Sequence, residues 1–125
     1  MGKRVLVVDD NVDFRSAARA LLEAAGYQVV AEAGGADEAL RVVRETSPDL
    51  VLLDVRLPSR DGIALAVDLA ALPLAPQVVL VSSRPARVYG ERLRRAPVRG
   101  FLSKDQLSGP ALRGLLGSDS AREDG

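Results

Sequence analysis

The chain has 125 residues, with 17 Lys+Arg balanced by 17 Asp+Glu, 47% hydrophobic residues and only 3% aromatics. That suits one domain with a core built from Val, Leu and Ala, and the zero net charge argues against a general nucleic-acid binder. Neither Cys nor His occurs, which excludes disulfides, thiolate nucleophiles, imidazole bases and the commonest transition-metal ligand. Chemistry must then rest on Asp, Glu, Ser, Thr, Lys, Arg or Tyr, and any metal is expected to be a hard, oxygen-preferring cation.

The opening stretch MGKRVLVVDD places the apolar run Val5–Val8 directly before Asp9 and Asp10. It is too short and too acidic for a signal peptide. Gly2 does not start a myristoylation pattern, because position 6 is Leu. No apolar stretch approaches the ~18 residues of a membrane span, so the expectation is a soluble, cytoplasmic protein.

Val5–Val8 reads as a first strand, and Asn11 as the cap of a helix over Val12–Ala25 that Gly26 stops. Val29–Ala31 follows as a second strand and Ala36–Thr46 as a second helix, ended by Ser47-Pro48. Leu50–Leu53 is the third strand, finishing in Asp54, and Ile63–Leu72 the third helix, stopped by Pro73. Val78–Val81 is the fourth strand. Pro85–Ala96 is a fourth helix, weakened by Gly90. Val98–Leu102 and Gln106–Leu116 complete the series, with Pro110 in the last helix's first turn. The strands are continuous apolar runs rather than alternations, as expected for strands buried on both faces of a parallel sheet. The expected fold is α/β, a (βα)5 doubly wound sheet between helix layers. It forms one domain over residues 1–117, followed by a polar, frayed tail over 118–125.

In an open parallel sheet, ligands sit outside the C-terminal strand ends. There the sequence collects Asp9-Asp10, Asp54, Ser82-Ser83 and Ser103-Lys104. Clustered carboxylates raise each other's pKa, and a divalent cation relieves the repulsion; an all-oxygen donor set suits Mg²⁺. Asp54 is then an oxygen nucleophile that needs no general base. Lys104 supplies positive charge and Ser82 a hydroxyl, which is what phosphoryl transfer requires.

These residues resemble the receiver domain of bacterial two-component response regulators (CheY-like, flavodoxin-like fold). The resemblance rests on the acidic pair in VLVVDDN, Asp54 in LLDVRLPSRDG with Pro58 and Gly62 beyond it, Ser82 in VVLVSS and Lys104 in GFLSK. It implies strand order 2-1-3-4-5. It implies a phosphoryl group accepted on Asp54 from a phosphohistidine of a sensor histidine kinase or phosphotransfer protein, and Mg²⁺ held by Asp9, Asp10, Asp54 and the carbonyl of Arg56. It further implies Ser82 and Phe101 as the switch pair. The surface of the fourth helix, fifth strand and fifth helix becomes the responsive face, with a phosphorylation-dependent homodimer as one outcome.

The chain departs from the commonest family pattern in four ways. Ser82 stands for Thr, Phe101 for Tyr, and Asp105 for the Pro after Lys104. Arg56 and Arg84 occupy the two positions that modulate phosphoryl hydrolysis. GFLSKDQL resembles receivers attached to LuxR-type DNA-binding domains, so the chain also reads as the excised receiver of such a regulator. The rival readings are a receiver-like interaction module that signals without phosphorylation, and a phosphohydrolase using an aspartyl-phosphate. Haloacid-dehalogenase-like enzymes carry a second Asp two residues after the nucleophile, where this chain has Arg56. Six Arg between residues 84 and 99, against the single acid Glu91, read either as a solvated face or as a docking surface for an acidic partner.

Overall fold

A computed structural model describes residues 2–124, with side chains described as far as Gly117. The tail expected over 118–125 therefore lies outside the residues whose side chains are described. Strands β1 (Arg4–Val8), β2 (Gln28–Ala33), β3 (Leu50–Asp54), β4 (Gln77–Ser82) and β5 (Gly100–Ser103) alternate with helices. The helices are α1 (Val12–Ala24), α2 (Ala36–Thr46), α3 (Gly62–Ala70), α4 (Gly90–Arg94) and α5 (Gly109–Asp124). The strands form one parallel sheet in the order β2-β1-β3-β4-β5, as the family resemblance implies. Among the described residues, no helix is long and apolar enough to cross a membrane.

The strand interiors of β1, β3 and β4 are apolar because each face of the sheet meets its own helix layer. Leu6, Val8, Val51, Leu53 and Leu80 pack with Ala39 and Val43 of α2 and with Ile63, Leu65 and Leu69 of α3. The alternate residues Val5, Val7, Leu50, Leu52, Val79 and Val81 pack with Ala18 and Leu22 of α1 and with Leu112 and Leu116 of α5. Ten of the largest fully buried side chains are leucines. Each contributes roughly 1.5–3 kcal/mol by leaving water, so the low aromatic content leaves no deficit in the core.

Local signals set the boundaries. Asn11 Oδ1 accepts from the backbone N–H groups of Asp13 (2.9 Å) and Phe14 (3.1 Å) and starts α1. Gly26, at φ 97°, ends it in a conformation that a side chain would strain. Asp61 caps α3 through Ala64 N–H at 2.8 Å. The fourth helix is shorter than the sequence predicts. Residues Ala86–Val88 make a single 3₁₀ turn, and Gly90, the first residue of α4, breaks the path at φ 57°. Ser103 likewise opens a short 3₁₀ turn over Lys104–Gln106, so α5 starts at Gly109 rather than Gln106.

Candidate functional site

The loops leaving β1, β3 and β5 surround a cavity of about 520 Å³ whose walls include Asp10, Asp54, Arg56, Pro58, Ser83 and Lys104. The sheet dictates its contents. Asp9 follows β1 directly and Asp54 is the last residue of β3, so parallel neighbours deliver both carboxylates to the same sheet edge. Both are buried, Asp9 completely and Asp54 to 4% exposure, while Asp10 is exposed.

Each acid is held by backbone. Asp9 N–H donates to Ala33 O at 3.0 Å, and Asp9 Oδ1 accepts from Asn11 N–H at 2.8 Å. The Asp9 carbonyl accepts from the Arg15 guanidinium at 2.5 Å. Asp54 Oδ1 accepts from Arg56 N–H at 3.2 Å. The loop after Asp54 folds back through Gly62 N–H to Val55 O (2.6 Å) and an Arg56–Asp61 bridge. Gly62 is required there, because a Cβ would lie 2.2 Å from the Asp54 carbonyl oxygen.

Lys104 reaches in from the end of β5. Its ammonium is 2.6 Å from Asp9 Oδ2 and 3.5 Å from Asp54 Oδ2, and it sits 4.4 Å from the centre of the Phe14 ring. Burial pulls the Lys104 pKa down, but the two carboxylates outweigh it and hold the group above the ordinary lysine value. Asp54 behaves oppositely. Burial first and the Asp9 charge second push its pKa up from 3.8 to about 6, against the opposing pull of Arg56 N–H and Lys104.

Asp9, Asp10 and Asp54 each offer an oxygen within 4.8 Å of the others. Asp9 Oδ2 is buried and has no well-aligned hydrogen bond, although Lys104 lies beside it. A donor set of carboxylate oxygens around a buried, under-satisfied oxygen fits a small hard cation such as Mg²⁺.

The structure thus brings together Asp9, Asp10, Asp54, Arg56 and Lys104. It does not bring Ser82 to the same cavity. Ser82 is fully buried, and its Oγ lies 2.6 Å from the Tyr89 hydroxyl, while the neighbouring Ser83 lines the cavity. Arg84 is exposed and does not line the cavity either; Arg56 does. Phe101 is half-buried, its ring centroid 6.1 Å from that of Tyr89. Sequence reasoning does not single out Tyr89. Its one signal is that it is one of only two tyrosines, seven residues beyond Ser82.

The response regulator receiver domain family model matches residues 5–112. The chain is similar to the transcriptional regulatory protein PdtaR of Mycobacterium tuberculosis, with 38% identity over 102 residues, 82% of this chain and 49% of that protein. It is also similar to the chemotaxis protein CheY of Thermotoga maritima, with 29% identity over 104 residues, 83% of this chain and 87% of that one. The chain spans about half the length of the first curated relatives it matches. Among solved structures, a LuxR-family two-component response regulator from Aurantimonas sp. SI85-9A1 superposes with TM-score 0.83 and 30% identity. That match covers 97% of this chain and 86% of that one. A CheY-like receiver domain from Methanospirillum hungatei JF-1, 23% identical, shares the fold with TM-score 0.81 and full coverage of both chains.

Proposed function

The chain belongs to the response regulator receiver domain family, and from that premise we propose that Asp54 is its phosphoacceptor, supplied by a sensor histidine kinase or a phosphotransfer protein. The observation that carries this reading is the meeting of the Asp9 and Asp10 carboxylates and the Lys104 ammonium at Asp54, on the wall of an open cavity. An Asp54 carboxylate oxygen attacks phosphorus. The new O–P bond forms as the bond from phosphorus to the donor breaks, and the donor's imidazole, or acetate from acetyl phosphate, leaves with the bonding electrons. Because the nucleophile is already an anion, no base is needed, which agrees with a chain that contains no His.

Mg²⁺ held by Asp9, Asp10, Asp54 and the Arg56 carbonyl would neutralise the charge on the carboxylates and on the transferred oxygens. Lys104 places its ammonium 3.5 Å from Asp54 Oδ2 and stabilises the same charge from the protein. Asn11 N–H and the Arg15 guanidinium fix Asp9 through its carboxylate and its carbonyl. Ser82 supplies a hydroxyl that turns toward the phosphoryl group, and Phe101 follows at the fifth strand. The phosphoryl group thereby shifts a population of conformations at the surface of α4, β5 and α5. Arg56, on the cavity wall, and Arg84, beyond β4, adjust the lifetime of the acyl phosphate.

Intact mass after incubation with Mg²⁺ and acetyl phosphate tests the proposal. One phosphoryl group on the wild type and none on Asp54→Ala is expected. No uptake by folded wild type, or equal uptake by the variant, would refute it.

A further inference from the structure

Ser82 pairs with Ser103 at the end of β4 and β5, two residues beyond the Leu80–Phe101 pair. Side chains two apart on a strand share a face, so Ser82 lies on the α2–α3 side of the sheet, with Leu80 and Phe101. Asp54 pairs with Val81, whose side chain belongs to the α1–α5 side. The alternation therefore starts the serine and the aspartate on opposite faces.

The Ser82 hydroxyl already has two partners where it stands. Its oxygen accepts from Arg84 N–H at 3.0 Å and lies 2.6 Å from the Tyr89 hydroxyl. A serine hydroxyl has one proton and two lone pairs, so these contacts leave one position at most for a third partner. Tyr89 is itself fixed. It occupies the corner between the 3₁₀ turn and α4, and its ring packs at 54° against Phe101.

We propose that the Tyr89 hydroxyl is a latch, a positioning residue that holds the Ser82 hydroxyl away from the acceptor site and must release it when Asp54 carries a phosphoryl group. The proposal rests on the phosphoacceptor reading of Asp54 and adds to it the residue against which the phosphoryl group competes. Ser82 reaches the site by leaving its rotamer well, and that rotation breaks the bond to Tyr89. Phe101 has no hydroxyl with which to make such a contact. Its ring touches the latch instead, so release of Tyr89 passes directly to β5 and α4.

Tyr89→Phe removes one oxygen and keeps the ring contact with Phe101. The decisive experiment measures the phosphorylated fraction by intact mass at sub-saturating acetyl phosphate with Mg²⁺, and the decay rate after donor removal. It compares wild type, Tyr89→Phe, Ser82→Ala and the double variant, each checked for folding by circular dichroism. Loss of one neutral hydrogen bond shifts an equilibrium by about two- to tenfold, so Tyr89→Phe is expected to raise the phosphorylated-to-free ratio by that factor. In the Ser82→Ala background the same change is expected to do nothing, because the latch has no partner there. Tyr89→Leu gives the same direction through a different side chain. A purely structural role for Tyr89 would act equally in both backgrounds, and that outcome overturns the latch, as does a ratio unchanged or lowered in Tyr89→Phe. Wild type that stays folded yet takes up no phosphoryl group instead overturns the phosphoacceptor reading and the latch with it.

Discussion

Replacing Asp54 by Asn is expected to stabilise the protein when divalent cations are chelated. At an effective dielectric of about 20, unit charges 4.8 Å apart repel by about 3.5 kcal/mol. Asp54 faces Asp9 within that distance in a buried setting, and Asp10 within it at the surface, where water screens the interaction. Lys104, 3.5 Å away, returns about 4.7 kcal/mol on the same scale, but it is shared with Asp9 at 2.6 Å. Burial of Asp54 first, and the Asp9 charge second, outweigh that attraction and explain a pKa raised from 3.8 to about 6. For an acid raised in the native state, the charged form burdens the fold above pH 6, and the burden lifts as pH falls below it. About two units of pKa set an upper bound near 3 kcal/mol. Water at the mouth of the cavity screens part of that burden, so a gain of about 1–2 kcal/mol at neutral pH is expected for Asp54→Asn. Urea denaturation with a chelator reads this as a midpoint higher by roughly 0.5–1 M. Millimolar Mg²⁺ should raise the wild-type midpoint more than that of the variant and narrow the gap. A variant equal to or less stable than wild type in chelator would refute the electrostatic account of the site.

Other substitutions probe the supports of the site. Lys104→Ala leaves the fully buried Asp9 carboxylate without its ammonium; a loss of about 2–4 kcal/mol is expected in urea denaturation, partly recovered by Mg²⁺, and equal stability in chelator would show that Asp9 is not held by that pair. Gly62→Ala places a methyl 2.2 Å from the Asp54 carbonyl oxygen, so the loop must shift, at about 1–3 kcal/mol by the same measurement; a wild-type midpoint would show the loop to be pliant. Asp61→Ala removes the α3 cap and is expected to cost about 1 kcal/mol at neutral pH. Burial raises the Asp61 pKa, but Ala64 N–H and Arg92 together bring it below the ordinary value. An acid lowered in the native state stabilises above its unfolded pKa and loses that contribution as pH falls through the folded one, so the gap between wild type and Asp61→Ala should close in acid. A gap that persists there would place the cost elsewhere than the ionised cap.

Most of the frame is legible in the residues because each signal is local. Runs such as Val5–Val8 and Leu50–Leu53 mark strands covered on both faces, and the burial of both strand alternations follows. Asn11 marks a helix end by its side-chain oxygen, and Gly26 and Pro110 by their backbone chemistry. Once the order 2-1-3-4-5 holds, Asp9, Asp54 and Lys104 must meet, since each closes a strand or follows it directly. The direction of the Ser82 side chain is a different kind of fact. It depends on strand parity and on where Tyr89 arrives, and Tyr89 arrives through a 3₁₀ turn and a left-handed Gly90 that no hydrophobic periodicity records. The same irregularity shortens the fourth helix, so the pattern over Pro85–Ala96 overstates it. The arginines near it illustrate a second limit, because composition counts charges without pairing them. Arg92 is committed to Asp61 at 2.7 Å, and Arg94 and Arg95 share Glu91, whereas Arg84 and Arg87 stay exposed.

Two contacts join the site to α4, and they start from different loops. Arg92 on α4 grips Asp61, the residue that bridges Arg56 and caps the helix following the Asp54 loop. Tyr89, at the entrance to α4, grips Ser82 at the end of β4. The first is an exposed ion pair, worth about 1 kcal/mol or less and weakened by salt. The second is a part-buried, uncharged hydrogen bond to the fully buried Ser82, which salt does not screen. Any movement of α4 away from the sheet must therefore break the cheaper contact at Asp61 and the dearer one at Ser82, and only the second is opposed by a partner on Asp54. If α4 responds to phosphorylation, raising salt should weaken its tie to Asp61 while leaving the dependence on Ser82 intact. Hydrogen exchange of the α4 amides in wild type, Arg92→Ala and Tyr89→Phe separates the two. Faster exchange in Arg92→Ala alone, with Tyr89→Phe like wild type, would assign the coupling to the ion pair and remove Tyr89 from it.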